Sequence, residues 1–477
     1  MNPLSKFEGE RRRWAALVAV LLAQLMIVLD ATIVNVALPA IQTDLHFSQS
    51  SLTWVVNAYL ITFGSFLLVA GRLGDLVGRR RVLLAGLAIF VTASALCGLA
   101  QSDTMLVAAR FVQGFGGALC SAVILAIITT EFPDAIERTK AMSTYTFVSV
   151  AGGSIGLLAG GALTQAIDWH WIFFVNVPIG ALSVAAVRAL VDERPGIGLR
   201  RGVDVAGAVM VTVATALGVY AIVEAPVHGW TSSHTLGFAA ASVALLTAFV
   251  ALEARLENPI LPLRLLRMRT LAGSSVVRAM MGIGMYGSFF LGALYLERVQ
   301  GYGTVQTGEA FLPWTLVVAA LSAGPTAHLV NRFGAGRPLM AGLATMAVGL
   351  LLLSSAGTGD AYFPTVFIAF LLMGLGAGIA FMPLLTIALA DVPPADAGVA
   401  SALINVSLYI SAALGLAALG AIATDRTQQL TDRGWAADHA LVAGYQLAFV
   451  IAAVCLAATV AVALVVLRAA RVPAAHA

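Results

Sequence analysis

Long apolar runs, each closed by a short cluster of charged, glycine or proline residues, recur along the whole chain. About 20 apolar residues in a helix cross the ~30 Å hydrocarbon core of a bilayer. Segmented at that length, the sequence predicts fourteen helices: 14–38, 52–71, 82–100, 105–130, 141–165, 171–190, 203–223, 236–252, 271–296, 310–330, 338–353, 363–390, 399–423 and 442–467. The fold class is therefore an all-α polytopic membrane protein. No polar segment is long enough to form a separate water-soluble core.

Composition supports the same reading. Hydrophobic residues make up 60% of the chain and charged ones 11%, more apolar side chain than a soluble surface can hide. Arg11, Arg12 and Arg13 precede the first run as in a signal peptide, but that run is too long and ends in no small-residue cleavage site. It is read as a retained first helix. Cys97, Cys120 and Cys455 fall inside apolar runs and have neither disulfide nor metal-ligand spacing, so no metal and no cofactor are expected. A net charge of +3 argues against nucleic acid as a partner.

The distribution of charge orients the chain. With a cytoplasmic N-terminus, all but five of the 27 basic residues fall on the inner side. The exceptions are Arg110 and Arg278 within helices, and Arg298, Arg426 and Arg433 outside. This bias is the one that sets membrane topology. Both termini are expected in the cytoplasm, in the inner membrane of a bacterium.

A degenerate repeat organises the helices. Gly71–Gly86 reads GRLGDLVGRRRVLLAG and Gly324–Gly342 reads GPTAHLVNRFGAGRPLMAG, each two helices into a six-helix block. The expected layout is a tail at 1–13, a six-helix bundle at 14–190, two extra central helices at 203–252, a second bundle at 271–467 and a tail at 468–477. Parallel halves of this kind belong to rocking transporters with a site between them.

Several residues stand out against the apolar background. In 71–81, Gly71, Gly74 and Gly78 permit a tight turn, Asp75 can cap the next helix, and Arg72, Arg79 and Arg80 can hold the loop at the anionic leaflet. Asp30 sits near the middle of the first helix, where a carboxylate costs about 2.5–3.5 kcal/mol and marks proton or cation handling. The plain alternative is an acid hydrogen-bonded to Thr32, Asn35 or another helix. Arg110, followed by Gln113, lies about one and a half turns into the fourth helix, and a pairing with Asp30 is attractive. Gly152, Gly156, Gly160 and Gly161 give the fifth helix a small-residue face for close approach. Candidate cavity or gate residues are Asn35, Gln113, Arg278, Glu309, Trp54, Tyr59 and Tyr409. Glu309, at the start of the tenth helix, has a plainer role beside the helix dipole. Glu224 and Glu297 read as rim residues.

The pattern GRLGDLVGRRR resembles the signature loop of the major facilitator superfamily. LDATIVNVALP (Leu29–Pro39), LVAARFVQGFGGA (Leu106–Ala118) and GGSIGLLAGGAL (Gly152–Leu163), followed by DWHWIFFVNVPIG (Asp168–Gly180), are similar in order and register to the fourteen-span drug:proton antiporters of the QacA/EmrB-like branch. The resemblance implies a major facilitator fold and proton-coupled export of amphipathic or cationic drugs. It also implies that Arg110 helps proton transfer or bridges helices. Two departures are visible: Leu157 stands where the antiporter motif usually has proline, and Leu408–Ser411 replaces the usual Arg-Gln-Ile-Gly of the thirteenth helix. The first loosens the inferred direction of transport and so keeps an importer open as the less favoured alternative, after a dedicated exporter of one metabolite or antibiotic. A membrane enzyme or sensor would need a catalytic constellation or an appended domain. Without a GxxxxGK[ST] loop the energy source is expected to be an ion gradient: a proton crossing about 150 mV yields about 3.4 kcal/mol. The expected partners are the bilayer, protons and a small amphipathic substrate, with the protein a monomer.

Overall fold

The computed structural model describes residues 3–469 apart from 49–50, 133, 194–195, 197–203, 257–258, 260–262, 323 and 394–396. All regular elements among these residues are helical. The first half comprises α1 (Pro3–Ile33), α2 (Leu38–Leu45), α3 (Trp54–Val77), α4 (Arg79–Gly98), α5 (Asp103–Glu131), α6 (Ala135–Ala166), α7 (Trp171–Phe174) and α8 (Asn176–Leu190). A central pair follows, α9 (Val205–His228) and α10 (Ser233–Glu253). The second half holds α11 (Leu263–Leu266), α12 (Arg269–Arg298), α13 (Thr304–Ala310), α14 (Leu312–Ser322), α15 (Pro325–Phe333), α16 (Gly336–Leu353), α17 (Phe367–Leu389), α18 (Ala397–Asp432) and α19 (Ala437–Ala469).

Local sequence explains where these helices start and break. Ser102 accepts a hydrogen bond from Met105 N at 3.2 Å and caps α5, and Asp204 accepts from Gly207 N at 2.8 Å and caps α9. Pro39 removes a backbone donor and crowds the carbonyl four residues earlier. The first span accordingly tightens to a 3₁₀ turn at Val34–Ala37 before α2 resumes. Among the described residues, eleven helical stretches are long and apolar enough to cross a membrane, or twelve if the bent pair Thr304–Ser322 and Pro325–Phe333 counts as one. Val243 and Val250 on α10 are 63% and 46% exposed, as lipid-facing side chains must be when the backbone is satisfied within each helix.

The halves are joined at the end carrying loops 45–53 and 298–304. There α6 packs on α13 and α14, and α3 packs on α18. Thr304 Oγ1 donates to the Gly161 carbonyl at 3.1 Å. At the end bearing both termini, the pairs Arg12–Asp192 (2.6 Å), Arg13–Glu137 (3.0 Å) and Arg81–Glu193 (2.7 Å) each stay within the first half. The central helix α9 leans on both α3 and α18, and α10 packs on α9.

Two sequence expectations need correction. The loop expected over 71–81 is a single-residue break, because α3 stays helical to Val77 and α4 begins at Arg79. Only Gly78 leaves the helix, at φ 115° and ψ 129°, which is open to glycine alone. Gly78→Ala should cost about 1–3 kcal/mol and lower the melting temperature in detergent. Gly71→Ala should leave melting nearly unchanged, since an added Cβ there meets nothing within 4 Å. The second correction concerns the tenth span, expected at 310–330. It begins at Thr304 and reaches Ser322, after which α15 departs at a bend of 58°. Pro325 at the start of α15 and Gly324 at φ 146° end the straight run.

Candidate functional site

Asp30 and Arg110 meet inside the first half. Arg110 Nη1 donates to Asp30 Oδ2 at 2.7 Å, and Gln113, one turn further along α5, donates through Nε2 to Asp30 Oδ1 at 2.7 Å. Asn176, at the start of α8, donates to the same Oδ1 at 2.9 Å. Arg110 also donates from Nε to the Val55 carbonyl of α3 at 2.9 Å and from Nη1 to Gln113 Oε1 at 2.6 Å. Gln113 Nε2 reaches Ser94 Oγ of α4 at 2.7 Å. The Tyr59 ring lies 4.5 Å from Arg110 Cζ and the Phe173 ring 5.7 Å. Six helices, α1, α3, α4, α5, α7 and α8, thus converge on one acid that is 0% exposed and one base that is 1% exposed.

This cluster decides what Asp30 can do. A buried carboxylate is tolerated when hydrogen bonds and an opposite charge replace water, and here three side-chain donors do so. Of the partners in the plain alternative, other helices supply all three donors, while Thr32 and Asn35 turn to nearby backbone carbonyls: Val28 and Leu29 for Thr32, Ala31 and Thr32 for Asn35. In this state Asp30 is sealed from any cation in a cavity between the halves. Asn176 and Ser94 were not among the sequence candidates. A lone asparagine in FFVNVPIG was the available signal for the first, while Ser94 offered none among the many serines of apolar helices.

The small-residue helix α6 presses on α1 at the turns that flank Asp30. A Cβ on Gly156 would stand 2.9 Å from the Leu29 carbonyl oxygen, and one on Gly160 would stand 2.6 Å from that of Ile33. Gly152 faces Leu25 and Val28 at 3.2–3.3 Å. Gly161 faces the other half, where its Cβ would stand 2.5 Å from the Thr304 carbonyl oxygen. Leu157 is buried, its carbonyl lies against Gly308 of α13, and α6 is one continuous helix through it. One helix therefore touches both the acid cluster and the seam between the halves.

The basic segment after α3 is tied to protein rather than free for the leaflet. Arg79 Nη1 donates to the Ala126 carbonyl at 2.9 Å and to Thr130 Oγ1 at 2.5 Å, both on α5. Arg80 donates to the Arg188 carbonyl at 2.6 Å and pairs with Glu193 at 3.3 Å. Arg72 is half-buried, Gly74 packs on Val123, and the side chain of Asp75 lies outside the described residues.

The remaining candidates separate into three groups. Tyr409 on α18 meets Phe63 of α3 with ring centroids 4.6 Å apart, and Tyr286 of α12 at 6.4 Å, so it lies between the halves. Arg278 on α12 faces the Phe381 ring of α17 at 4.7 Å. Trp54 packs on Phe111 within the first half at 6.1 Å, and Tyr59 belongs to the Arg110 cluster. Glu309 was expected to begin a helix, yet it sits near the end of α13. It opens on a groove of about 450 Å³ lined also by Leu312, Leu316, Tyr362 and Phe367. Leu316 there is 57% exposed, which puts the groove on the flank of the second half. Glu224 stands 3.5 Å from His228 one turn away.

Residues 20–416 match the family described as Major Facilitator Superfamily. Curated relatives include the puromycin resistance protein of Streptomyces alboniger, 38% identical over 89% of this chain and 84% of that protein. The tetracenomycin C resistance and export protein of Streptomyces glaucescens is 32% identical over 91% and 80%. The multidrug resistance protein Stp of Mycobacterium tuberculosis is 35% identical over 86% and 76%. Solved structures share the fold at low identity. The POT family transporter PepTSo gives a TM-score of 0.67 at 15% identity, covering 94% of this chain and 98% of that one. A bacterial homologue of the lysosomal transporter Spinster, described as inward-facing and unoccupied, gives 0.65 at 18%, covering 96% and 97%.

Proposed function

The chain belongs to the major facilitator superfamily, and from that premise we propose that it is a proton-coupled exporter of small amphipathic or cationic drugs and antibiotics, working by alternating access. The observation that carries the reading is the likeness to resistance and export proteins along nearly the whole chain. The finer picture has fourteen spans, both termini in the cytoplasm of a bacterium, and a monomer in the inner membrane. No enzymatic step is part of it. The basic residues gathered on the side of both termini support that orientation. In this orientation the contacts of α6 with α13 and α14 lie at the outer end, which supports reading this as a state open to the cytoplasm.

Asp30 and Arg110 are the proposed coupling pair. A proton on Asp30 removes the charge that holds Arg110, and the Asn176 amide can then turn. Its Oδ1, buried and without a partner among the described residues, would accept from the new carboxyl O–H. Breaking a buried pair costs about 3–5 kcal/mol, close to the ~3.4 kcal/mol that one proton brings. The helix α6 carries the change from the cluster to the seam. The segment 71–81 ties α4 to α5 and α8 and moves with the first half as a gate.

The test is transport of a fluorescent amphipathic cation, ethidium, and of a sulfonated fluorescent anion, each in proteoliposomes under an imposed pH gradient. Concentrative movement should appear only with the gradient and vanish when an ionophore collapses it. Transport that ignores the gradient would exclude proton coupling and favour a facilitator. Movement in the same direction as the protons would favour an importer.

A further inference from the structure

Two arginines lie within the membrane-spanning body, and their surroundings differ sharply. Arg110 is supplied with a carboxylate, a carbonyl, an amide oxygen and an aromatic face. Arg278 has the Phe381 ring at 4.7 Å, while its Nε is buried without an acceptor among the described residues. The groups within its electrostatic reach there are the phenols of Tyr286 and Tyr409, and no carboxylate is among them. An uncompensated cation in a low-dielectric interior is costly, and such residues persist where they face a cavity or bind something.

Neighbouring contacts place Arg278 on the side of α12 that faces the interior. One turn on, Gly282 packs on Leu408 and Ser411 of α18. Further along, Tyr286 lies 6.4 Å from Tyr409 and Phe289 stacks on Trp314 of α14 at 4.1 Å. Tyr409 reaches across to Phe63 of the first half. Arg278 is half-buried, so part of its surface borders open space. No acid among the described residues offsets it: Asp30 is consumed by Arg110, Glu309 opens on the outer flank, Glu253 closes α10 in the central pair, and Glu297 stands near the far end of α12. The space between the halves is therefore electropositive and walled by aromatic rings.

We propose that Arg278 anchors the negative end of the transported molecules in this space, and that their class is amphipathic anions: a carboxylate, phenolate or sulfonate on an aromatic or apolar body. The inference rests on the exporter reading and narrows its substrate class away from cations. A guanidinium offers two parallel N–H donors to a carboxylate-like group, and the rings of Phe381, Tyr286 and Tyr409 suit an aromatic body.

Two dyes on the same xanthene frame separate charge from shape: fluorescein, an anion at about pH 7.5, and rhodamine 123, a cation. Equilibrium binding to the full-length protein in phosphatidylcholine nanodiscs is read by fluorescence polarisation without any gradient. The wild type should bind fluorescein more tightly than rhodamine 123. Arg278→Gln should weaken fluorescein about tenfold to a hundredfold, the range for losing a hydrogen bond to a charged partner, and leave rhodamine 123 unchanged or tighter. Arg278→Lys, which keeps the charge, should recover part of the loss, with monodisperse gel filtration reporting that both variants fold. Tighter binding of the cation by the wild type, no binding of fluorescein, or equal losses for both dyes in Arg278→Gln would each overturn the proposal. Gradient-independent transport with the anion preference intact would instead count against the exporter reading alone.

Discussion

Asp30→Asn should abolish gradient-driven transport and lower stability by about 3–5 kcal/mol, the usual cost of stranding one member of a buried ion pair. The asparagine keeps the shape but not the charge. Its amide nitrogen would also face donors, since Gln113 and Asn176 both present N–H groups to Asp30 Oδ1. Arg110, 1% exposed, would keep its full charge with only carbonyl and amide oxygens and the Tyr59 ring to offset it. Pairing Asp30→Asn with Arg110→Gln removes the stranded cation and should recover most of the unfolding midpoint in detergent. It should recover none of the uphill transport, because no titrating acid is left in the cluster. Stability that fails to return would show that steric fit, not charge, is what Asp30 supplies. Uphill transport that survives in the single variant would move coupling to another acid.

Much of this cluster could be read from the chain, and the unread part has a physical reason. Asp30, Arg110 and Gln113 stood out because a polar group within an apolar run is expensive. Spacing of three residues put Arg110 and Gln113 on one face of one helix. Asn176 and Ser94 are not legible in the chain because only the fold brings Asn176 to Asp30, 146 positions away, and Ser94 to Gln113, 19 positions away. The helices themselves were legible because hydropathy reports lipid contact. The tenth span was misjudged where that link fails. Thr304–Ala310, TVQTGEA, is too polar to read as membrane-spanning, yet its Thr307, Gly308 and Ala310 are buried, and the segment packs on α6. Hydropathy sees the lipid-facing side of a helix and is blind to a seam between halves. The 71–81 segment misled in the opposite direction. Its glycines look like a loop, but Gly74 serves packing against Val123, and a single left-handed residue makes the turn.

The seam is also where the largest steric effect is expected. Gly161→Leu should reduce transport by at least about tenfold, by preventing the outer end from closing rather than by unfolding the protein. A Cβ at this position would stand 2.5 Å from the Thr304 carbonyl oxygen and 2.7 Å from Val305 Cα, backbone atoms that cannot rotate aside. Relief requires α6 and α13 to separate, which opens the end where Thr304 now bonds to Gly161. An overpacked contact of this kind costs about 1–3 kcal/mol, and the cost falls only on the closed-outside state, shifting the two-state population about tenfold to a hundredfold. A second contact at the same end reports that population. A Cβ on Gly420 would stand 2.9 Å from Thr53 Cγ2, within range for a disulfide between cysteines at the two positions. Thr53→Cys with Gly420→Cys should cross-link readily on mild oxidation in an otherwise unchanged protein. Adding Gly161→Leu should slow the reaction in proportion to the population lost. Unaltered cross-linking with transport gone would locate the damage within α6 alone, and normal transport would show that the seam tolerates a wedge and is not the outer gate.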